Sequence, residues 1–345
     1  MNTAPQSDPP SDFPAIAGFR PSRLLGTGST ARVYLARDGE GRRVALKVLL
    51  PAEELQGNPG AAEMFANEVR MTLQLRHPHL ARGYSGQAYG EEAWLALEYF
   101  REGSLDTQLL PGIPLPLEQG VRILRGVAAG LDYMHGQGAV HQDVKSQNVY
   151  LDGERAVLAD FGCSYMMGQG GRAGGSPFYM APEIYRGEGG TAASDVYSFG
   201  VLGYEVLAGQ RPFQGESYED LMGEHLLTAA PSLSHLSPQV PRPLARLLQR
   251  ALAKAPADRP TLAELLAALD EVAGVPEPLS AAPAAACTES GARLGRHAAA
   301  SPLTSQVPAS QASASQAPAP APADEPAAGG LLSRWNPFRK KSDPA

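Results

Sequence analysis

The chain has 345 residues, 43% of them hydrophobic and 19% charged, with a formal net charge of −7. That length supports a sizeable core, and the acidic balance, with no basic stripe in the folded part, argues against a nucleic-acid binder. The two cysteines, Cys163 and Cys287, lie far apart without clustered histidines, which argues against a disulfide framework or a structural zinc site and fits a reducing cytoplasm.

Residues 1–17 are rich in Pro, Ser and Asp and read as a disordered leader, without the basic and apolar regions of a secretory signal. ARVYLARD (31–38) and RRVALKVLL (42–50) alternate as strands do and are joined by a short turn. AAEMFANEVRMTLQLR (61–76) has helical spacing of Met64, Phe65, Val69 and Leu73, and AWLALEYF (93–100) is a third strand. Beyond residue 103 helical patterns dominate, over 120–138, 193–209, 243–254 and 261–273. After Ala273 the composition turns to Ala, Pro and Ser through about residue 330, too few large apolar residues to offset the entropy of ordering. No run approaches the roughly 18 uninterrupted apolar residues of a membrane-spanning helix. The order is that of an α+β fold, a sheet-rich part followed by a helix-rich part, and a cleft between them is the natural ligand site.

Four stretches carry chemistry. LLGTGSTARVYLA (24–36) places Gly26 and Gly28 between two strands, where backbone N–H groups can approach a phosphate. Ala31 stands where the third glycine of such a loop would be, and an ordinary hairpin turn reads equally well; a strand follows, which disfavours a dinucleotide site. Lys47 is the lone charge of the apolar stretch VALK (44–47), either an edge lysine facing solvent or a buried cation that needs an anion. Glu68, on the following helix, can supply that anion. VHQDVKSQNVYL (140–151) sets His141, Asp143, Lys145 and Asn148 between apolar ends, and LADFGCS (158–164) sets Asp160 after an apolar run, which alone could be a turn.

Taken in order, the glycine loop, VALK, the NE of the helix, HQDVKSQN, DFG, APE (181–183) and DVYSFG (195–200) resemble the protein-kinase family over residues 18–272. Lys145, two residues after Asp143, resembles the serine/threonine branch, and the compact domain with its Ala/Pro-rich tail looks like the bacterial eukaryotic-like (Hanks-type) group. The resemblance implies a two-lobed kinase fold, a small β-rich N-lobe over about 18–100 and a larger helical C-lobe over about 101–272. It implies ATP and Mg²⁺, with Mn²⁺ as a substitute. Lys47, held by Glu68, would contact the α- and β-phosphates under the loop of Gly26, Thr27, Gly28 and Ser29. Asp160 and Asn148 would hold the metal. Asp143 would orient the substrate hydroxyl and Lys145 would offset charge on the transferred group. Val33 and Ala45 would roof the adenine slot, Glu98 to Phe100 would form its hinge, Leu97 would guard its back and Tyr150 would replace a smaller floor residue. Ser176, Glu183, Asp195 and Arg259 would be supports, with Glu183 paired to Arg259 and Asp195 holding the catalytic-loop backbone.

Many family members have an arginine just before the catalytic aspartate, where it pairs with a phosphorylated loop; this chain has Gln142, a neutral amide. Activity is therefore expected without activation-loop phosphorylation. Expected partners are proteins with Ser/Thr acceptors. The tail reads first as a solvated spacer; its serines and threonines, among them Thr288, Ser301 and Thr304, offer as a second reading autophosphorylation and docking to a phosphopeptide-binding partner. In residues 331–345, Trp335 and Phe338 interleave with Arg334, Arg339, Lys340 and Lys341, a pattern suited to weak peripheral membrane contact, to docking on a partner protein, or to no role at all. The expected setting is the cytoplasm. Two other readings are a pseudokinase or scaffold that binds nucleotide without transfer, and a small-molecule phosphotransferase, which the APE and DVYSFG segments disfavour.

Overall fold

The computed structural model describes residues 13–55, 60–90, 92–166 and 175–274. The expectations for the tail and for residues 331–345 lie outside these.

The first part is a five-stranded antiparallel sheet of β1 (Arg20–Thr27), β2 (Ala31–Arg37), β3 (Arg43–Leu49), β4 (Gly83–Gln87) and β5 (Trp94–Glu98), in the order β1-β2-β3-β5-β4. Val33 pairs with Lys47, Lys47 with Leu95 and Ala45 with Leu97. Directly paired residues share a face and alternate residues return to it. Val33, Ala45, Lys47, Leu95 and Leu97 therefore form one face. The opposite face buries Tyr34, Ala36, Val44, Leu46 and Ala96 with Ile16, and Phe13 and Phe19 pack against them. Phe13 and Ile16 thus belong to the folded sheet rather than to a leader, because their apolar surface closes a face that would otherwise meet water.

Helix α1 (Ala61–Gln74) buries Phe65, Ala66, Glu68, Val69, Met71 and Thr72. Met64 is not on the core face; it is 38% exposed. The buried stripe runs through Phe65, Val69 and Thr72, the i, i+4, i+7 positions of one helix face. Strand β4, with two glycines, is absent from the sequence reading. A Cβ on Gly83 would lie 2.9 Å from Thr72 Cγ2 and one on Gly86 2.9 Å from Val69 Cγ1, so glycine is what lets α1 lie directly on this strand.

The second part is helical: α2 (Leu117–Gly136), α3 (Pro182–Tyr185), α4 (Ala192–Ala208), α5 (Tyr218–Leu227), α6 (Leu233–Leu236), α7 (Arg242–Ala251) and α8 (Leu262–Ala273). Helix α4 is buried nearly all round, including Tyr197, Phe199, Leu202 and Tyr204, as a helix central to its lobe must be. Its N-terminus is closed by a reciprocal Thr191–Ser194 capping box, and α8 begins the same way with Thr261 and Glu264. Both end on glycines with positive φ, Gly209 and Gly274. Four short strands complete the part: β6 (Ala139–Val140) pairs with β9 (Tyr165–Met166), and β7 (Val149–Asp152) with β8 (Arg155–Leu158). The hairpin β7–β8 positions the site, because it sets Asn148 beside Ala159 (Ala159 N to Asn148 O, 2.8 Å) and so brings the two polar stretches together.

Candidate active site

A cleft of about 590 Å³ lies between the sheet and the helical part. Val33, Ala45 and Leu97 line it from the sheet and Tyr150 from the other side. Glu98 and Phe100 line it along the connecting segment, and the Tyr150 ring stacks on Phe100 with centroids 5.3 Å apart. Gly26, Gly28 and Ser29 line its upper edge, whereas Thr27, the last residue of β1, does not. Neither glycine has a positive φ, nothing lies within 4 Å of a Cβ built at Gly26, and Gly28 would meet only the Ala31 carbonyl at 3.5 Å. Packing within the fold therefore does not require glycine at either place.

Lys47 reaches from β3 to both carboxylate oxygens of Glu68, at 2.6 and 2.7 Å, and lies 3.7 Å from Asp160 Oδ1. Burial opposes its charge, but the Asp160 and Glu68 carboxylates outweigh that and hold its pKa above the ordinary lysine value. In return Lys47 holds the Asp160 carboxyl below the usual range, against burial. The cleft thus keeps one fixed cation and one ionised carboxylate side by side. Asp160 has a positive φ of 66°, as does Gln142. Such backbone strain in non-glycine residues persists only where the surroundings enforce it, and it clusters at functional sites.

Asp143 is held from three sides. Lys145 Nζ donates to its Oδ2 at 2.6 Å; Ser176 donates to its Oδ1 from the hydroxyl at 3.0 Å and from the backbone at 3.1 Å; Asn148 Nδ2 donates to its Oδ2 at 3.0 Å and to its carbonyl at 2.8 Å. Lys145 also donates to Ser176 Oγ at 2.8 Å. With its amide nitrogen so engaged, Asn148 has its carboxamide oxygen left for a cation. That oxygen and the Asp160 carboxylate are hard donors, the chemistry that suits Mg²⁺. Among the described residues no cluster of three or more His, Cys, Asp or Glu could hold a metal by itself, so a cation here would need further oxygens from substrate or water.

Behind these groups, the buried Asp195 at the start of α4 accepts from the backbone N–H of His141 at 2.8 Å and of Gln142 at 2.7 Å, and lies 2.8 Å from His135 Nε2. His141 is buried and its pKa is lowered by that burial, so it is neutral at pH 7. Glu183 and Arg259 form a buried two-bond pair at 2.7 Å each, and Ser194 adds a third bond to Glu183 at 2.6 Å. Sequence reasoning missed His135, and it noted Asn67 on α1 only as part of the NE pair, without the contact of its amide with the Ser164 carbonyl. Burial drives the Cys163 thiol, next to Asp160, up to about 12, so it stays protonated.

The protein kinase domain family matches residues 19–269. The chain belongs to the protein kinase family. The kinase is 35% identical over 269 residues to the serine/threonine-protein kinase pkn2 of Myxococcus xanthus, covering 72% of this chain and 32% of that protein. It is 34% identical over 256 residues to the serine/threonine-protein kinase PknA of Mycobacterium tuberculosis, covering 70% and 58%. A plant relative, CBL-interacting protein kinase 4 of Oryza sativa, is 36% identical over 219 residues, covering 60% and 48%. This kinase spans less than two thirds of the length of each. The bacterial similarities agree with the Hanks-type branch. Family membership implies ATP and a divalent metal. Among the described residues no helix is long and apolar enough to cross a membrane.

Proposed function

We propose that this kinase transfers the γ-phosphoryl group of ATP, with Mg²⁺ and with Mn²⁺ as a substitute, to Ser/Thr hydroxyls of proteins in bacterial signalling, its own chain included. The observation that carries the reading is the convergence on Asp143 of Lys145, Asn148 and Ser176, linked through Asn148 to the stretch that bears Asp160. In this reading Lys47 grips the α- and β-phosphates and Glu68 fixes the ammonium. Asp160 and Asn148 would hold the metal, which would supply neutralisation of phosphate charge. Asp143 orients the acceptor hydroxyl and takes its proton, while Lys145 faces the charge that develops on the transferred group. Nearly all the catalysis is positioning and electrostatics, so a few fixed charges suffice. A pseudokinase would be expected to lack one of these groups, and none is missing.

The reading includes control. Gln142 is 8% exposed and its amide packs on Gly190, where an added Cβ would lie 2.1 Å from Nε2. A neutral buried amide makes no charged clamp for a phosphate. Residues 167–174 contain no Ser, Thr or Tyr. Ser164 is 1% exposed and donates to the His141 carbonyl, and Ser176 is bound to Asp143. Activity without activation-segment phosphorylation follows. The tail and residues 331–345 stay proposals for a phosphopeptide-binding partner and for weak membrane contact.

The test is transfer of label from γ-labelled ATP and Mg²⁺ to a protein substrate, followed by phosphoamino-acid analysis. Phosphoserine and phosphothreonine are expected with wild type and not with Asp143→Asn. Nucleotide binding without label transfer would turn the reading toward a scaffold.

A further inference from the structure

Adjacent residues of α1 bond to different parts of the kinase. Glu68 accepts from Lys47 on β3, and Asn67 donates from Nδ2 to the carbonyl oxygen of Ser164 at 2.5 Å. The Asn67 amide oxygen in turn accepts from Arg70 Nη2 at 3.1 Å. A guanidinium only donates, so this contact fixes which end of the amide is oxygen and leaves the nitrogen toward Ser164. Ser164 is itself fully tied. It is 1% exposed, its N–H donates to the Phe161 carbonyl at 3.1 Å and its hydroxyl to the His141 carbonyl at 3.2 Å. His141 and Gln142 are anchored by Asp195. A continuous hydrogen-bonded path thus runs from α1 through Ser164 to the catalytic loop and into the helical lobe. Every bond in it is made by neutral groups until it ends on the Asp195 carboxylate.

Position gives this path its leverage. One residue of helix advances only 1.5 Å and turns about 100°, so Asn67 and Glu68 move as one rigid body. Fixing Asn67 to the segment after Asp160 fixes the direction from which Glu68 meets Lys47. Helix propensity offers no reason for asparagine here; mid-helix it is worse than alanine by roughly half a kcal/mol. Its bond spans 97 residues of sequence.

We propose that Asn67 is a positioning residue that locks α1 to the segment after Asp160, and so holds Glu68 on Lys47 without a phosphate. The proposal rests on the kinase reading for its effect on rate. A phosphate-and-arginine switch uses charge to order this segment; here the Asn67 amide and the Ser164 hydroxyl do so permanently. Asn67 acts through Glu68 and touches neither nucleotide nor acceptor.

The test uses the full chain with Asn67→Leu, which removes the donor, and Asn67→Asp, which keeps the shape and sets a carboxylate against the carbonyl. Amide hydrogen exchange is read first because it needs no turnover. In both variants α1 and residues 161–166 are expected to exchange about ten-fold faster, with α4 and α8 unchanged. The rate constant kcat for a protein substrate should fall about ten-fold. In a Glu68→Gln background, replacing Asn67 should cost almost nothing more, since nothing remains to be positioned. Unchanged exchange in both variants, faster exchange throughout α4 and α8, or losses that multiply with Glu68→Gln would overturn the proposal. A wild type without phosphoryl transfer would remove the kinase reading, and exchange alone would then decide whether the lock exists.

Discussion

The carboxylate of Asp143 has almost no freedom. Lys145, Asn148 and Ser176 reach it from sites 2, 5 and 33 residues away, and Ser176 meets it twice. Ser176→Ala removes the hydroxyl that joins Asp143 to Lys145 while leaving the cleft for ATP intact. Its kcat should fall about ten-fold, the worth of one charge-assisted hydrogen bond, with the KM for ATP within about two-fold of wild type. Steady-state kinetics with both substrates varied checks this. The charged residues were legible because they fall at family-like spacings within short stretches. His135 was not, and Asn67 entered only as part of the NE pair, with no contact assigned to it. Each is a single polar residue on a helix, with a partner 97 or 60 residues away, and no local pattern announces such a contact.

At the scale of elements, hydrophobic alternation exposed β2, β3 and β5, and the 3.6-residue period exposed α1, α2, α4, α7 and α8. Strand β4 escaped because its glycines erase the alternation. They are there because α1 lies against them, a tertiary demand that overrides strand propensity. The two-residue strands β6 and β9 are too short to carry a period. Met64 misled for a related reason: an apolar residue at helical spacing marks a face, but the sheet decides where that face ends. The close approach is testable. Gly86→Ala puts a Cβ 2.9 Å from Val69 Cγ1 and 3.0 Å from the Trp94 carbonyl, so α1 or β5 must shift. Urea unfolding should show a loss of roughly 1–3 kcal/mol. Because α1 carries Glu68, the same variant should also lower kcat.

At the scale of the whole molecule, ionic ties connect distant stretches of chain, and the most deeply buried among the described residues is Glu183–Arg259, whose side chains are 2% and 1% exposed. Burial would raise the Glu183 pKa, but hydrogen bonds from Arg259 and Ser194 outweigh it and hold it below the ordinary value. Glu183→Gln leaves the Arg259 guanidinium buried without its counter-charge, and chemical denaturation at pH 7 should show a loss of about 3–5 kcal/mol. Since the folded pKa of Glu183 is depressed, the stability it contributes is complete above its unfolded value, about 4.3, and is lost as pH falls through the lower folded value. The gap between wild type and Glu183→Gln should therefore be flat from pH 6 to 8 and close below about pH 4. The central proposal is that this kinase transfers phosphoryl groups with no phosphate on its own activation segment. The direct measurement is the initial rate of protein-substrate phosphorylation by enzyme stripped of phosphate with a phosphatase, its unphosphorylated state confirmed by intact mass, with Asp143→Asn as the zero. Linear product formation from the first time point, without a lag, is the predicted result; a lag that ends only as phosphate appears between residues 160 and 183, or a rate no higher than that of Asp143→Asn, would contradict it.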